Sequence, residues 1–74
     1  MNMEKFTLAM ESVKDKLRLI DFPLISEVRF GNKENPICYQ MTKHTDITVL
    51  RNAILNVAER CYLSHTPFTL QVYF

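Results

Sequence analysis

The stretch TDITVLRNAILNVAERCYL, residues 45–63, decides the fold of this chain. Apolar residues recur in it three and four positions apart, which is the period of an α-helix that buries one face. Thr45 and Asp46 stand just before that pattern and are candidates for the N-cap. We therefore predict a helix over 47–63. Its apolar stripe consists of Ile47, Leu50, Ile54, Val57 and Cys61.

A second helical pattern occupies the beginning of the chain. Residues 3–20 repeat the same three-and-four spacing and predict a first amphipathic helix. Phe22-Pro23 ends it, because proline disfavours the α conformation in the residue before it. The stripe of this first helix contains Met3, Phe6, Met10, Val13, Leu17 and Ile20.

Three segments alternate between apolar and polar residues, as half-buried strands do. They are LISEVRF at 24–30, ICYQMTK at 37–43 and FTLQVYF at 68–74. The connector 31–36 is rich in turn-forming residues and begins with Gly31, which is free to take a positive φ. The first two strands are therefore expected to form an antiparallel hairpin.

The resulting order, α-β-β-α-β, predicts one α+β domain over residues 1–74. The simplest arrangement is a two-layer sandwich in which two helices cover one face of a three-stranded sheet. An alternative divides the first segment into a strand at 5–10 and a helix at 11–21, which gives the βαββαβ order of ferredoxin-like folds. The unbroken stripe across 3–20 favours a single helix. The uncovered sheet face would carry Glu27, Arg29, Cys38, Gln40, Thr42, Thr69, Gln71 and Tyr73.

Composition narrows the classes of function. The chain has 74 residues, of which 47% are hydrophobic, so it is expected to fold but to be marginally stable as a monomer. A net charge of +1 provides no basic footprint for nucleic acid or for an anionic membrane. The sequence predicts no secretory leader, and it contains no apolar run of the roughly 20 residues that a bilayer requires. We expect a cytoplasmic protein with reduced thiols.

The two cysteines and two histidines are the only candidates for a thiol-based or metal site. Cys61 and His65 lie four positions apart, so a helix could present both to one ion. Cys38 and His44 lie six apart on a predicted strand, which separates them by about 20 Å. Because Cys61 also belongs to an apolar stripe, core packing is the better interpretation. No metal and no cofactor is predicted.

Catalytic motifs are missing from the sequence. The single glycine excludes a Gly-rich phosphate loop, and neither H-E-x-x-H nor G-x-S-x-G occurs. A chain of this size also has little volume for a ligand pocket. The prediction is that the protein is not an enzyme.

The predicted binding surface combines one side of the second helix with the last strand. Arg51, Leu55 and Tyr62 lie beside the main stripe of the helix, where they extend its apolar face sideways. Gln71 and Tyr73 lie on a final strand without charged residues, which would invite pairing with another chain if it lies at the edge of the sheet but not if it is central. These features predict a small accessory or inhibitory regulator that acts through protein–protein contact and forms a homodimer. No resemblance to a known family is apparent in them.

A nucleic-acid-binding regulator is the alternative. The uncovered sheet face offers a tyrosine on which a base could stack, beside a cation. Acidic residues interleave with the cations, however, and no GXXG loop occurs, so a solvated face of mixed charge is the better interpretation. The residues of this alternative are Arg29, Gln71 and Tyr73 on the sheet, and Lys14, Lys16 and Arg18 at the end of the first helix.

Overall fold

The computed structural model describes residues 3–74. It confirms an α+β fold of α-β-β-α-β order, and the first segment is a single helix, which removes the ferredoxin-like alternative. Along the chain these elements are α1 (Met3–Leu19), a 3₁₀ turn (Phe22–Leu24), β1 (Glu27–Gly31), β2 (Pro36–Gln40), α2 (Ile47–Leu63) and β3 (Thr69–Tyr73).

The three strands form an antiparallel sheet of order β2-β1-β3, so β1 is central and β3 lies at an edge. Phe30 is opposite Ile37 on β2 and Leu70 on β3, and side chains that are directly opposite share a face. This register separates an apolar face from a polar one, as the alternation predicted. The side chains of the apolar face are Val28, Phe30, Ile37, Tyr39, Leu70 and Val72.

The core lies between α2 and the central strand. Leu50 and Ile54 of α2 are fully buried together with Val28 and Phe30 of β1. Helix α1 packs more extensively on α2 than on any strand, and Leu17 is its one fully buried residue. The sheet is therefore covered mainly by α2, with α1 placed beside that helix.

The prediction for the beginning of β1 is wrong. Leu24 begins the segment that the alternation predicts as a strand, but it lies in the 3₁₀ turn with 66% of its surface exposed. Pro23 restricts the backbone there, and the Ile25 N–H donates to the Phe22 carbonyl at 3.2 Å, which closes the turn. Phe22 and Ile25 are the residues that this turn buries.

The connection between β1 and β2 depends on Gly31. Its φ of 122° lies in a region that residues other than glycine rarely adopt. A Cβ at this position would lie 3.4 Å from the Asn35 carbonyl oxygen. The Asn32 side-chain oxygen accepts hydrogen bonds from the N–H groups of Glu34 and Asn35 at 3.0 and 2.7 Å. The turn is thus closed by local hydrogen bonds, which keep β2 in register with β1.

Helix α2 has a defined cap at each end. The Asp46 carboxylate accepts hydrogen bonds from the N–H groups of Thr48 and Val49 at 3.0 and 3.3 Å, as expected for an N-cap. At the other end His65 has a φ of 56°, and the Thr66 N–H donates to the Cys61 carbonyl at 2.8 Å. This is a Schellman C-cap with histidine in the left-handed position that glycine usually occupies.

We expect Asp46→Ala to lower the free energy of unfolding by about 1 kcal/mol, because it removes the side-chain acceptor at the N-cap. Asp46→Asn keeps a carbonyl oxygen there and should retain most of the stability. Urea unfolding curves of the two variants test this. Equal losses in both variants would contradict an N-cap contribution from hydrogen bonding.

Candidate interaction surfaces

The two apolar side chains predicted on the side of α2 lie against α1. The Tyr62 ring packs edge-on against Phe6, with centroids 5.5 Å apart and ring planes at 65°. Leu55 is half-buried against the core. Much of the surface of these two side chains is therefore buried where α1 packs on α2. Periodicity marked this side of α2 as apolar but did not indicate that α1 would cover it.

Arg51 remains exposed at the rim of that contact. Its guanidinium carbon lies 4.8 Å from the centroid of the Phe22 ring, a cation–π arrangement that covers one side of the 3₁₀ turn. Beside it, α1 and α2 enclose a shallow cleft of about 330 Å³. The residues lining the cleft are Lys14, Leu17, Arg18, Arg51 and Leu55.

The charge of this cleft comes from both helices. Lys14 and Arg18 of α1 face it together with Arg51 of α2, and all three are exposed. Arg18 pairs with Asp15 at 3.0 Å, but both side chains are well solvated, so this pair holds Arg18 only weakly. We call this surface the basic cleft: cations at the rim and leucine side chains, Leu17 and Leu55, at the floor.

Sequence reasoning found only part of the basic cleft. Arg51 and Leu55 were predicted to bind a partner, whereas Lys14 and Arg18 were assigned to a separate basic end of the first helix. The spacing of four between Lys14 and Arg18 places them on one side of a helix. Their position opposite Arg51 depends on how α1 docks on α2, which no local pattern shows.

The uncovered sheet face is a connected polar network centred on Arg29. The Arg29 Nε donates to a Glu27 carboxylate oxygen at 2.8 Å, and its guanidinium lies 5.2 Å from the centroid of the Tyr73 ring. The hydrogen bond to Glu27, together with the negative charge of that carboxylate, raises the pKa of Arg29. The Tyr73 hydroxyl donates to the Gln71 side-chain oxygen at 3.2 Å. Glu27 therefore occupies the Nε of Arg29, and a phosphate approaching this cation would compete with a neighbouring carboxylate.

The cysteines and histidines are dispersed. Cys61 is buried in α2 and Cys38 is exposed on β2, both as free thiols. His44 and His65 are exposed in the segments that flank α2. Within residues 3–74 no three or more His, Cys, Asp or Glu side chains come together in a way that could hold a metal ion.

Strand β3 is the last candidate surface. It lies at the sheet edge and has no charged residue, and Gln71 and Tyr73 are exposed on its polar side. Phe74, directly after it, has 80% of its surface exposed. A strand edge of this kind is open to pairing with another chain.

Comparisons of the chain with models of protein families, with curated proteins and with solved structures found no match. The structure defines a class of fold, an α+β domain with a three-stranded antiparallel sheet. Across the described residues 3–74, neither helix combines the length and apolarity needed to cross a membrane.

Proposed function

We propose that this protein is a small non-enzymatic interaction module that regulates a partner protein by binding it at the basic cleft. The observation that supports this is the convergence of Lys14, Arg18 and Arg51 around Leu55. Arginine beside aliphatic side chains is typical of the residues that dominate protein interfaces. Both cysteines are free and residues 3–74 contain no disulfide, which fits a regulator in the cytoplasm.

The charge of the cleft defines the chemistry of the partner. A segment with one apolar side chain flanked by carboxylates would place the apolar group on Leu55 and its charges against the cations at the rim. Complementary charges of this kind raise the association rate and are weakened by salt. The partner is therefore expected to present an acidic, amphipathic segment.

Charge reversal in the cleft tests this proposal. We expect Lys14→Glu/Arg51→Glu to lose a partner that the unaltered chain captures from host lysate and that is identified by mass spectrometry. Lys33→Glu/Lys43→Glu is the matched control, because it makes the same change of charge at exposed positions outside the cleft. Circular dichroism confirms that both variants are folded. Capture of the same partner by the cleft variant would contradict the proposal.

A nucleic-acid-binding regulator is the second candidate, favoured by the position of Arg29 over the Tyr73 ring. Under this hypothesis Tyr73→Ala weakens binding of a single-stranded oligonucleotide, and affinity falls steeply with salt. Gel shifts with single-stranded RNA and DNA between 50 and 200 mM salt measure both effects, in the range where phosphate contacts show a strong salt slope. No shift at the lower salt would remove this candidate.

A further inference from the structure

The outer edge of β3 has an unbroken row of backbone hydrogen-bonding groups. The Tyr73 carbonyl accepts from the Ser26 N–H at 2.8 Å, so the backbone groups of Tyr73 point toward β1. Because these directions alternate along a strand, Gln71 and Thr69 also point inward, while Leu70 and Val72 point outward. Every outward residue from 68 to 74 has an N–H, since the nearest proline is Pro67.

The opposite edge of the sheet is less suited to pairing. The Met41 N–H donates to the Ser26 carbonyl at 2.9 Å, which directs the groups of residues 37, 39 and 41 toward β1. The outward row of β2 is therefore Pro36, Cys38 and Gln40, and Pro36 has no N–H to donate. Prolines at edge strands hinder the addition of another strand. Addition of another strand is thus hindered at the β2 edge of the sheet and unhindered at the β3 edge.

We propose that β3 pairs with β3 of a second copy of this chain, antiparallel, about a two-fold axis that passes through Gln71. The two sheets then form one continuous sheet with β3 and the partner's β3 at its centre. This inference extends the proposal that the chain acts through protein contact, but it uses a surface distinct from the basic cleft.

The absence of charge along β3 permits this pairing. A two-fold axis brings each residue near its own copy, so a charged residue at the centre of the strand would repel itself. Gln71 at the axis is neutral, and its flanking residues Leu70 and Val72 are apolar. Each Leu70 lies opposite the partner's Val72, which joins the apolar faces of the two sheets.

Two features favour a two-fold axis at Gln71 over one at Leu70 or Val72: the length of strand that is paired, and the apolar surface that is buried. The axis at Gln71 pairs all of β3, Thr69–Tyr73, with β3 of the second copy, whereas an axis at Leu70 or Val72 pairs residues of the strand with residues outside it. It also places the partner's Phe74, 80% exposed in the single chain, beside Phe68. Phe68 borders an apolar cavity of about 150 Å³ under α1, so that ring gains an apolar neighbour.

Disulfide trapping tests the axis directly. Leu70 and the partner's Val72 form a hydrogen-bonded pair, so the two copies of residue 71 form a non-hydrogen-bonded pair with Cα atoms about 4.5 Å apart. That distance is within the range that a disulfide spans. In a Cys38→Ser background, we expect Gln71→Cys to lose its monomer band on a non-reducing gel under mild oxidation. Thr69→Cys and Tyr73→Cys alone should stay monomeric, while a mixture of the two should cross-link.

Sedimentation equilibrium provides the second measurement. The unaltered chain is expected to show twice its 8.7 kDa mass, and Gln71→Lys should return it to the monomer by placing two like charges on the axis. Gln40→Lys, exposed on the other edge strand, is the control that should stay dimeric.

Two results would overturn the dimer: a monomeric mass at high concentration, or cross-linking of Gln71→Cys no faster than that of Thr69→Cys. The outcome is separate from that of the proposed function. If Gln71→Lys is monomeric and still captures the partner, the dimer is supported and partner capture does not depend on it. If the unaltered chain is monomeric and Lys14→Glu/Arg51→Glu loses the partner, only the dimer is refuted.

Discussion

Replacing Leu50 with alanine is expected to lower the free energy of unfolding by about 3–5 kcal/mol. Leu50 is fully buried in the core between α2 and β1, where its side chain packs with Ile54, Val28 and Phe30. The substitution removes apolar area and leaves a cavity that the surrounding strands can fill only in part. The loss is comparable with the lower end of the stability expected of a chain this short, about 4–11 kcal/mol.

Leu19→Ala is the matched control, because it makes the same chemical change at a position that is 86% exposed. Its effect should stay within about 0.5 kcal/mol, as is usual for surface substitutions. Urea unfolding followed by far-ultraviolet circular dichroism measures both variants. Equal losses at the two positions would mean that Leu50 is not in the core that the fold describes.

Replacing Tyr62 with alanine should lower the free energy of unfolding by about 2–3 kcal/mol. The half-buried ring fills space between α1 and α2 and packs edge-on against Phe6, so its removal loosens the attachment of α1. Tyr62→Phe keeps the ring and should cost less than about 1 kcal/mol. Thermal unfolding of the three proteins tests the order. A loss in Tyr62→Phe as large as that in Tyr62→Ala would show that the hydroxyl, and not the ring packing, carries the effect.

This stability effect decides how the functional experiment is designed. Leu55→Asp and Tyr62→Ala both alter the surface on which α1 docks, so a lost partner in either variant would report a displaced helix as readily as a lost contact. Arg51 and Lys14 are exposed at the rim of the basic cleft, and their charges can be reversed without burying a carboxylate. Partner binding is therefore measured at these positions, with circular dichroism as the check on folding, because Arg51 also lies against the Phe22 ring.

Local patterns predicted the elements well and their ends less well. The helix predicted over 47–63 matches α2, and Asp46, one of the two N-cap candidates in the sequence, is its cap. Strand β1 begins three residues later than the alternation indicated, because Pro23 and the Ile25 hydrogen bond fold 22–24 into a turn. Alternation continued through the turn by coincidence, with Leu24 in phase with Val28.

The candidate surfaces were predictable only in part, and Tyr62 shows why. Its position beside the main stripe of α2 indicated an apolar side chain in need of cover. Either a partner protein or α1 of the same chain could cover this side chain, and the helical periodicity of the sequence does not distinguish the two. The positions of Lys14 and Arg51 across the basic cleft have the same origin, since these residues are 37 positions apart in sequence and meet only when the helices dock.

The amino-acid sequence by itself determined which segments are helical or extended, the turn at Gly31 and the division of the sheet into an apolar and a polar face. These features depend on interactions within a few residues along the chain, which period and turn chemistry describe. Only the tertiary structure decided that α1 covers Tyr62, that cations from two helices frame Leu55, and that β3 lies at an open edge. Each depends on which segments pack together across the chain, and that choice is made by the shared burial of surfaces distant in sequence.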